Sequence, residues 1–203
     1  KPDVLQLVYW AKKHNITVIV DESFIDFVDM EESHSLLDED ILLKNKNLIV
    51  LKSISKSFGV PGLRLGVMAC GNTDIISQVK KDVSIWNINS FAEFYMQIFE
   101  KYKADYQLAL KKFRDVRKDF ARNLQTINHL RVIPSQANYI MCEVLTPYNS
   151  TKLTEQLLHE HSILIKDLSN KNGLNNGQYI RVAVKTKAEN DILVSALKKV
   201  LGR

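Results

Sequence analysis

At 203 residues the chain has room for one large domain or two small ones, and folding such a length removes about 70% of the unfolded surface from water. Hydrophobic residues at 45% and charged residues at 25% match ordinary globular proteins and exclude disordered, collagen-like and low-complexity architectures. The net charge of +5 is mixed with acids along helix-like stretches such as residues 111–119, with no basic run interleaved with aromatics. A solvated helix face is therefore expected there, and nucleic acid is not an expected partner.

Residues 2–14 carry apolar side chains at Val4, Leu5, Leu7, Val8 and Ala11 behind Pro2, which predicts a helix ending at Asn15. The β-branched run at residues 16–20 predicts a strand buried on both faces of a mostly parallel sheet, finishing at Asp21 and Glu22. Further strands are expected at residues 48–51 and 65–70. The stretch from Asn89 to Thr126 lacks glycine and proline and reads as one long amphipathic helix or two abutting ones. Beyond it come expected strands at 130–133, 138–144, 163–165 and 179–184 and a helix over 151–161. A final helix should open on the capping-box pair Thr186 and Glu189. The fold class is α/β: two lobes joined by a long helix.

No apolar run approaches the roughly 20 residues of a membrane-spanning helix, and the first residues lack the features of a secretion signal, so a cytoplasmic location without membrane contact is expected. Cys70 and Cys142 sit in apolar strand-like stretches and read as buried free thiols of a reducing compartment. His159 and His161, two apart on a predicted helix, point to different faces. No Cys/His set has metal spacing, and the acids Asp26, Asp29, Glu31 and Glu32 read as a solvated loop. Trp86 and Asn89 read as core or capping residues.

The most informative stretch spans residues 53–66. One lysine, Lys56, follows a strand and is flanked by Ser53, Ser55 and Ser57, with Gly59, Gly62, Arg64 and Gly66 behind it. Hydroxyls and a guanidinium suit phosphate oxygens, glycines allow close backbone approach, and a lysine among them can form a Schiff base. The glycine spacing of a P-loop is missing. Composition alone leaves a phosphate site and a structured turn both open.

The order Ser-x-Ser-Lys-Ser-Phe-Gly-x-Pro-Gly-Leu-Arg-Leu-Gly resembles the lysine segment of the class I/II aminotransferases, pyridoxal-phosphate enzymes of fold type I. The similarity extends to residues 20–27, 85–90, 136–139 and 179–184, and is greatest for the branch of histidinol-phosphate aminotransferases and threonine-phosphate decarboxylases. The resemblance implies part of a large, mostly parallel-sheet domain over residues 1–105, an interdomain helix over 106–128 and a small α/β domain over 129–203. It implies pyridoxal 5'-phosphate as cofactor, Lys56 as the residue that binds it covalently and moves the substrate Cα proton, and Asp21 as the partner of the pyridine nitrogen. Ser53, Ser55 and Arg64 match phosphate contacts, Arg181 the clamp on the substrate carboxylate and Asn138 a neighbour of that carboxylate.

The resemblance also carries departures. Where the family commonly reads Asp-Glu-Ala-Tyr, this chain has Asp21, Glu22, Ser23 and Phe24, so Phe24 faces the cofactor without the usual phenol. The 203 residues correspond to the carboxyl-terminal part of the family pattern, without the glycine-rich helix start and the ring-stacking aromatic that precede it. Transamination of an amino acid or amino-phosphate is the first expectation and decarboxylation of a phosphorylated amino acid the second. A catalytically inactive fragment or interaction domain is the third. The intact protein is expected to be a homodimer.

Overall fold

The computed structural model describes residues 1–29, 34–174 and 177–202, so Glu31 and Glu32 lie outside the described residues. The chain divides into two compact units, Lys1–Leu110 and Lys111–Arg203. Among the described residues no helix is long and apolar enough to cross a membrane.

In the first unit, helix α1 (Pro2–Lys13) begins with Pro2 in its first turn, where a missing N–H costs nothing. Strand β1 (Val18–Asp21) pairs in parallel with β2 (Leu48–Ser53), in the register Val18↔Leu48 to Asp21↔Leu51. Strand β3 (Gly66–Cys70) runs antiparallel to β2, Ser53 facing Gly66. The predicted first strand thus starts two residues late and extends to Asp21. Asn15, at φ 54, turns the chain out of α1, and pairing begins only at Val18. Val8, Leu36, Leu48 and Val50 form the buried core of this unit, with Val18 and Val20 packed on it. The opposite sheet face, expected to be buried too, is open: Ile19 is 61% exposed, and Leu51 is exposed with it.

Helix α2 (Glu39–Lys44) starts at an Asp38 cap, the short α3 (Ile54–Ser57) follows β2 directly, and α4 (Thr73–Asp82) starts at an Asn72 cap. Gly71 is required between β3 and α4, because a Cβ there would lie 2.0 Å from the Leu42 carbonyl oxygen. The long helical pattern resolves into α5 (Ser90–Phe99), a 3-10 turn at Glu100–Tyr102 and α6 (Lys103–Gln125). Asn89 caps α5 through the Ala92 amide at 2.9 Å, as the capping alternative requires. Trp86 is no core residue, being 90% exposed.

The second unit begins within α6 and contains a four-stranded sheet in the order β4 (Leu130–Ile133), β5 (Tyr139–Val144), β7 (Tyr179–Ala183), β6 (Lys166–Asp167). All its pairings are antiparallel. Ile140, Cys142, Ile180 and Val182 point to one side and meet Phe120 and Leu124 of α6, Leu153 and Leu157 of α7 (Ser150–His161) and Leu197 and Leu201 of α8 (Lys187–Leu201). Burying apolar side chains of this size yields about 1.5–3 kcal/mol each, which makes this alternation the main source of the unit's stability. Burial also pushes the Cys142 thiol up to about 12; Cys70, by contrast, is only half-buried. The expected strand at 163–165 does not form. Ser162, at φ 55, ends α7, and the Ile163 amide donates to Leu157 O at 3.0 Å, so sheet pairing starts only at Lys166↔Arg181. The capping box of α8 is present in full.

The solvated-face reading of residues 111–119 fails at Arg117, which is 2% exposed. Its guanidinium donates to Ala137 O at 3.1 Å and Gln136 Oε1 at 3.2 Å. Nothing in its sequence context separates it from its exposed neighbours, since its burial depends on a turn twenty residues away.

The start of α7 is fixed by Asp167, whose carboxylate accepts hydrogen bonds from Ser150 Oγ (2.9 Å), Thr151 Oγ1 (2.7 Å), Ser169 N (3.0 Å) and Ser169 Oγ (2.8 Å). Partial burial raises its pKa, but these four donors outweigh that and bring it down to about 2. A carboxyl depressed on folding stabilises the fold above its unfolded pKa, and the contribution fades as pH falls through the folded value. Asp167→Ala is expected to cost about 1–3 kcal/mol at pH 7 and much less near pH 2, read as the change in urea midpoint of variant against parent at the two pH values.

Candidate functional site

The parallel register of β1 and β2 brings their carboxyl ends to one edge of the sheet, the edge where open α/β sheets bind ligands. Asp21 ends β1, and Ser53 ends β2 and leads into the α3 turn that carries Lys56. Both Asp21 and Lys56 are exposed. The Asp21 carboxylate accepts from the Ser23 amide at 2.9 Å and from the Ser23 hydroxyl. These two donors, the hydroxyl first, hold its pKa below the ordinary carboxylate value against slight burial, with the Lys56 cation contributing further. Asp21 is thus held as an anion at the same sheet end as the lysine-bearing turn.

The Ser23 hydroxyl also accepts from the Ser53 amide at 3.2 Å. One side chain therefore connects the two strand ends. Sequence reading noted Ser23 only as a departure from a family alanine and gave it no role; a hydroxyl two residues after a strand-end aspartate was the signal. The neighbouring Glu22 does something different. It is buried and accepts from Ser35 Oγ and the Leu36 amide, both at 2.6 Å, anchoring the chain that enters α2.

The remaining predicted residues take distinct positions. Lys56 Nζ lies over the Phe24 ring, 5.6 Å from its centroid, within cation–π range. Ser53 occupies the N-cap of α3 without using its side chain for the cap. Ser55 is buried and donates to Leu65 O at 3.4 Å. Gly59, at φ +67, reverses the chain behind α3, a conformation glycine adopts without steric cost. Arg64 is exposed, in the left-handed region at φ 56, with Nη1 3.4 Å from Pro61 O. The first unit thus assembles an amine, a carboxylate held ionised, an open hydroxyl and a guanidinium, the donor set that suits an aldehyde, a ring nitrogen and a phosphate.

Asn138 and Arg181 belong to the second unit. Asn138 immediately precedes β5, and its carbonyl accepts from the Val184 amide at 3.0 Å. Arg181 projects from the exposed face of β7, its guanidinium 5.1 Å from the Tyr139 ring centroid. The Arg117 bonds to Gln136 and Ala137 hold the turn that delivers Asn138.

Residues 1–197 match the family model described as aminotransferase class I and II. Among curated relatives, the L-serine phosphate decarboxylase of Sulfurospirillum multivorans is 32% identical over 187 residues, 91% of this chain and 47% of that protein. The threonine-phosphate decarboxylase of Salmonella typhimurium is 31% identical over 193 residues, 94% of this chain and 50% of that protein. Among solved structures, the histidinol-phosphate aminotransferase of Clostridium acetobutylicum matches with a TM-score of 0.84 at 28% identity, covering 98% of this chain and 58% of that one. The chain spans about half the length of these curated relatives.

Removing the Ser23 hydroxyl takes away the largest influence on Asp21. Ser23→Ala is expected to move the Asp21 titration midpoint upward, toward the ordinary carboxylate value, in a carbon-detected NMR titration of the side-chain carboxyl.

Proposed function

Since the chain belongs to the class I and II aminotransferases, a family dependent on pyridoxal 5'-phosphate, we propose that the intact protein uses this cofactor to break a bond at Cα of a phosphorylated amino acid, with decarboxylation as its reaction. The observation that carries the reading is that Asp21, held ionised by Ser23, and the turn bearing Lys56 lie at the same carboxyl edge of β1 and β2. Two features favour decarboxylation. Phe24 stands beside Lys56 where the family resemblance calls for a phenol, and two relatives are named as decarboxylases of amino-acid phosphates. Likeness to a histidinol-phosphate aminotransferase supports transamination as the second reading.

When bound, the cofactor supplies an electron-withdrawing ring that accepts the charge left at Cα. Lys56 would hold it covalently and afterwards carry a proton to or from Cα, and Asp21 would keep the ring nitrogen protonated. Ser23 holds Asp21 as the anion that this role requires. Ser53 and Arg64 would take the cofactor phosphate, with Ser55 supporting the turn between them through Leu65. Arg181 would grip the substrate carboxylate and Asn138 would flank it, aligning the bond that breaks with the ring. A homodimer is part of the same proposal.

Borohydride reduction of the intact protein with pyridoxal phosphate is expected to place the label on Lys56, and Lys56→Ala to lower turnover by about 10²–10⁴-fold. A label on another lysine refutes the assignment. Carbon dioxide release from O-phospho-L-serine or O-phospho-L-threonine without a keto acid is the expected reaction; turnover that requires a keto acid selects transamination instead. Arg181→Lys, which loses the planar fork, is expected to raise KM about tenfold or more in steady-state assays.

A further inference from the structure

Asp26 sits in the 3-10 turn Ile25–Phe27, five residues beyond the aspartate at the end of β1. Sequence reading placed it in a solvated acidic loop. The structure contradicts that: its side chain is 19% exposed and that of Lys52 14%. Lys52 Nζ donates to Asp26 Oδ1 at 2.6 Å, and Ser57 Oγ donates to Asp26 Oδ2 at 2.6 Å. Lys52 is the penultimate residue of β2 and Ser57 directly follows Lys56, so the two oxygens of one carboxylate hold the chain on both sides of the lysine.

A second tie reaches the same turn. The Phe58 ring stacks on Tyr106 with centroids 4.4 Å apart and contacts Phe99 at 4.9 Å. The Tyr106 hydroxyl is buried beside Ser57 and Asp26, and burial, with the Asp26 charge adding to it and Ser57 opposing, pushes the phenol up to about 12. Ser57 and Phe58 are therefore both immobilised, one by an anion and one by aromatic packing. Lys56, directly before them, projects over Phe24, which itself lies two residues before Asp26. A four-residue helix has too few internal hydrogen bonds to be stable alone, so outside contacts must set its orientation.

We propose that Asp26 is a positioning residue for Lys56: by bridging Lys52 and Ser57 it locks the α3 turn to the segment that follows Asp21 and carries Phe24, and so fixes where the lysine amine points. The inference deepens the proposed function and rests on its assignment of Lys56. A charge pair with this little exposure is costly to break from one side, because the remaining ion stays buried without its partner. A bridging carboxylate also gives a sharper geometry than either bond alone.

The test compares the intact parent protein with Asp26→Asn, Ser57→Ala and the conservative Lys52→Arg. Ser57→Ala removes one hydroxyl and leaves the ion pair, so it guards against an Asp26 variant that fails to fold. Without cofactor, amide hydrogen exchange over residues 54–59 is expected to accelerate about tenfold in Asp26→Asn and Ser57→Ala and to stay at the parent rate in Lys52→Arg. With pyridoxal phosphate, the same two variants are expected to be captured at Lys56 about tenfold more slowly, and to show a weaker visible circular-dichroism band per trapped cofactor, which reports its orientation rather than global stability. Unchanged exchange overturns the tie. Faster exchange with unchanged capture and an unchanged band overturns its role toward Lys56. Absence of a Lys56 adduct in the parent, with the exchange pattern as expected, refutes the assignment of Lys56 and leaves the tie standing.

Discussion

The parallel pairing of β1 with β2 is the constraint on which the candidate site depends. Side chains alternate along strands, so a slip of one residue would turn Asp21 to the other face and send Val18 and Val20 out of the core. The buried contacts of Val8, Leu48 and Val50 therefore fix the register, and the register in turn fixes an anion and a lysine-bearing turn at the same sheet edge. Apolar packing and chemistry share one alignment.

Around that edge, polar side chains act as short crosslinks between segments distant in sequence. Ser23 ties β1 to β2, Glu22 ties β1 to the approach to α2, and Asp26 ties the following turn to both ends of the Lys56 segment. Glu22 and Asp26 offer carboxylate oxygens as the acceptors, and Ser23 passes its hydrogen bond on to the Asp21 carboxylate. The second unit uses the same device at Asp167, where four donors converge on one carboxylate and set the start of α7, and a cationic version of it at Arg117.

Much of this was legible in the sequence because it is local. Periodicity placed α1, β2, β4, α7 and α8, and Thr186 with Glu189 announced a cap that forms as expected. The order of residues 53–66 carries the resemblance that implies cofactor chemistry. What could not be read depends on partners far along the chain. Arg117 looks like every other base on its helix until the turn at 136–137 arrives to bury it. Asp26 looks like a loop acid until Lys52 and Ser57 reach it from 26 and 31 residues away. The strand expected at 163–165 yielded because the Ile163 amide was already committed to ending α7. An open sheet face over Ile19 and Leu51 is likewise invisible in a run of β-branched residues that suits burial on both sides.

Arg64 carries a consequence for any attempt to engineer this chain. Arg64 sits in the left-handed region, which costs a side chain about 1–2 kcal/mol that glycine does not pay. Replacing Arg64 by glycine would relax the backbone and raise thermal tolerance while deleting the guanidinium proposed to hold the phosphate. A screen for sturdier variants that selected this change would gain at the expense of cofactor retention.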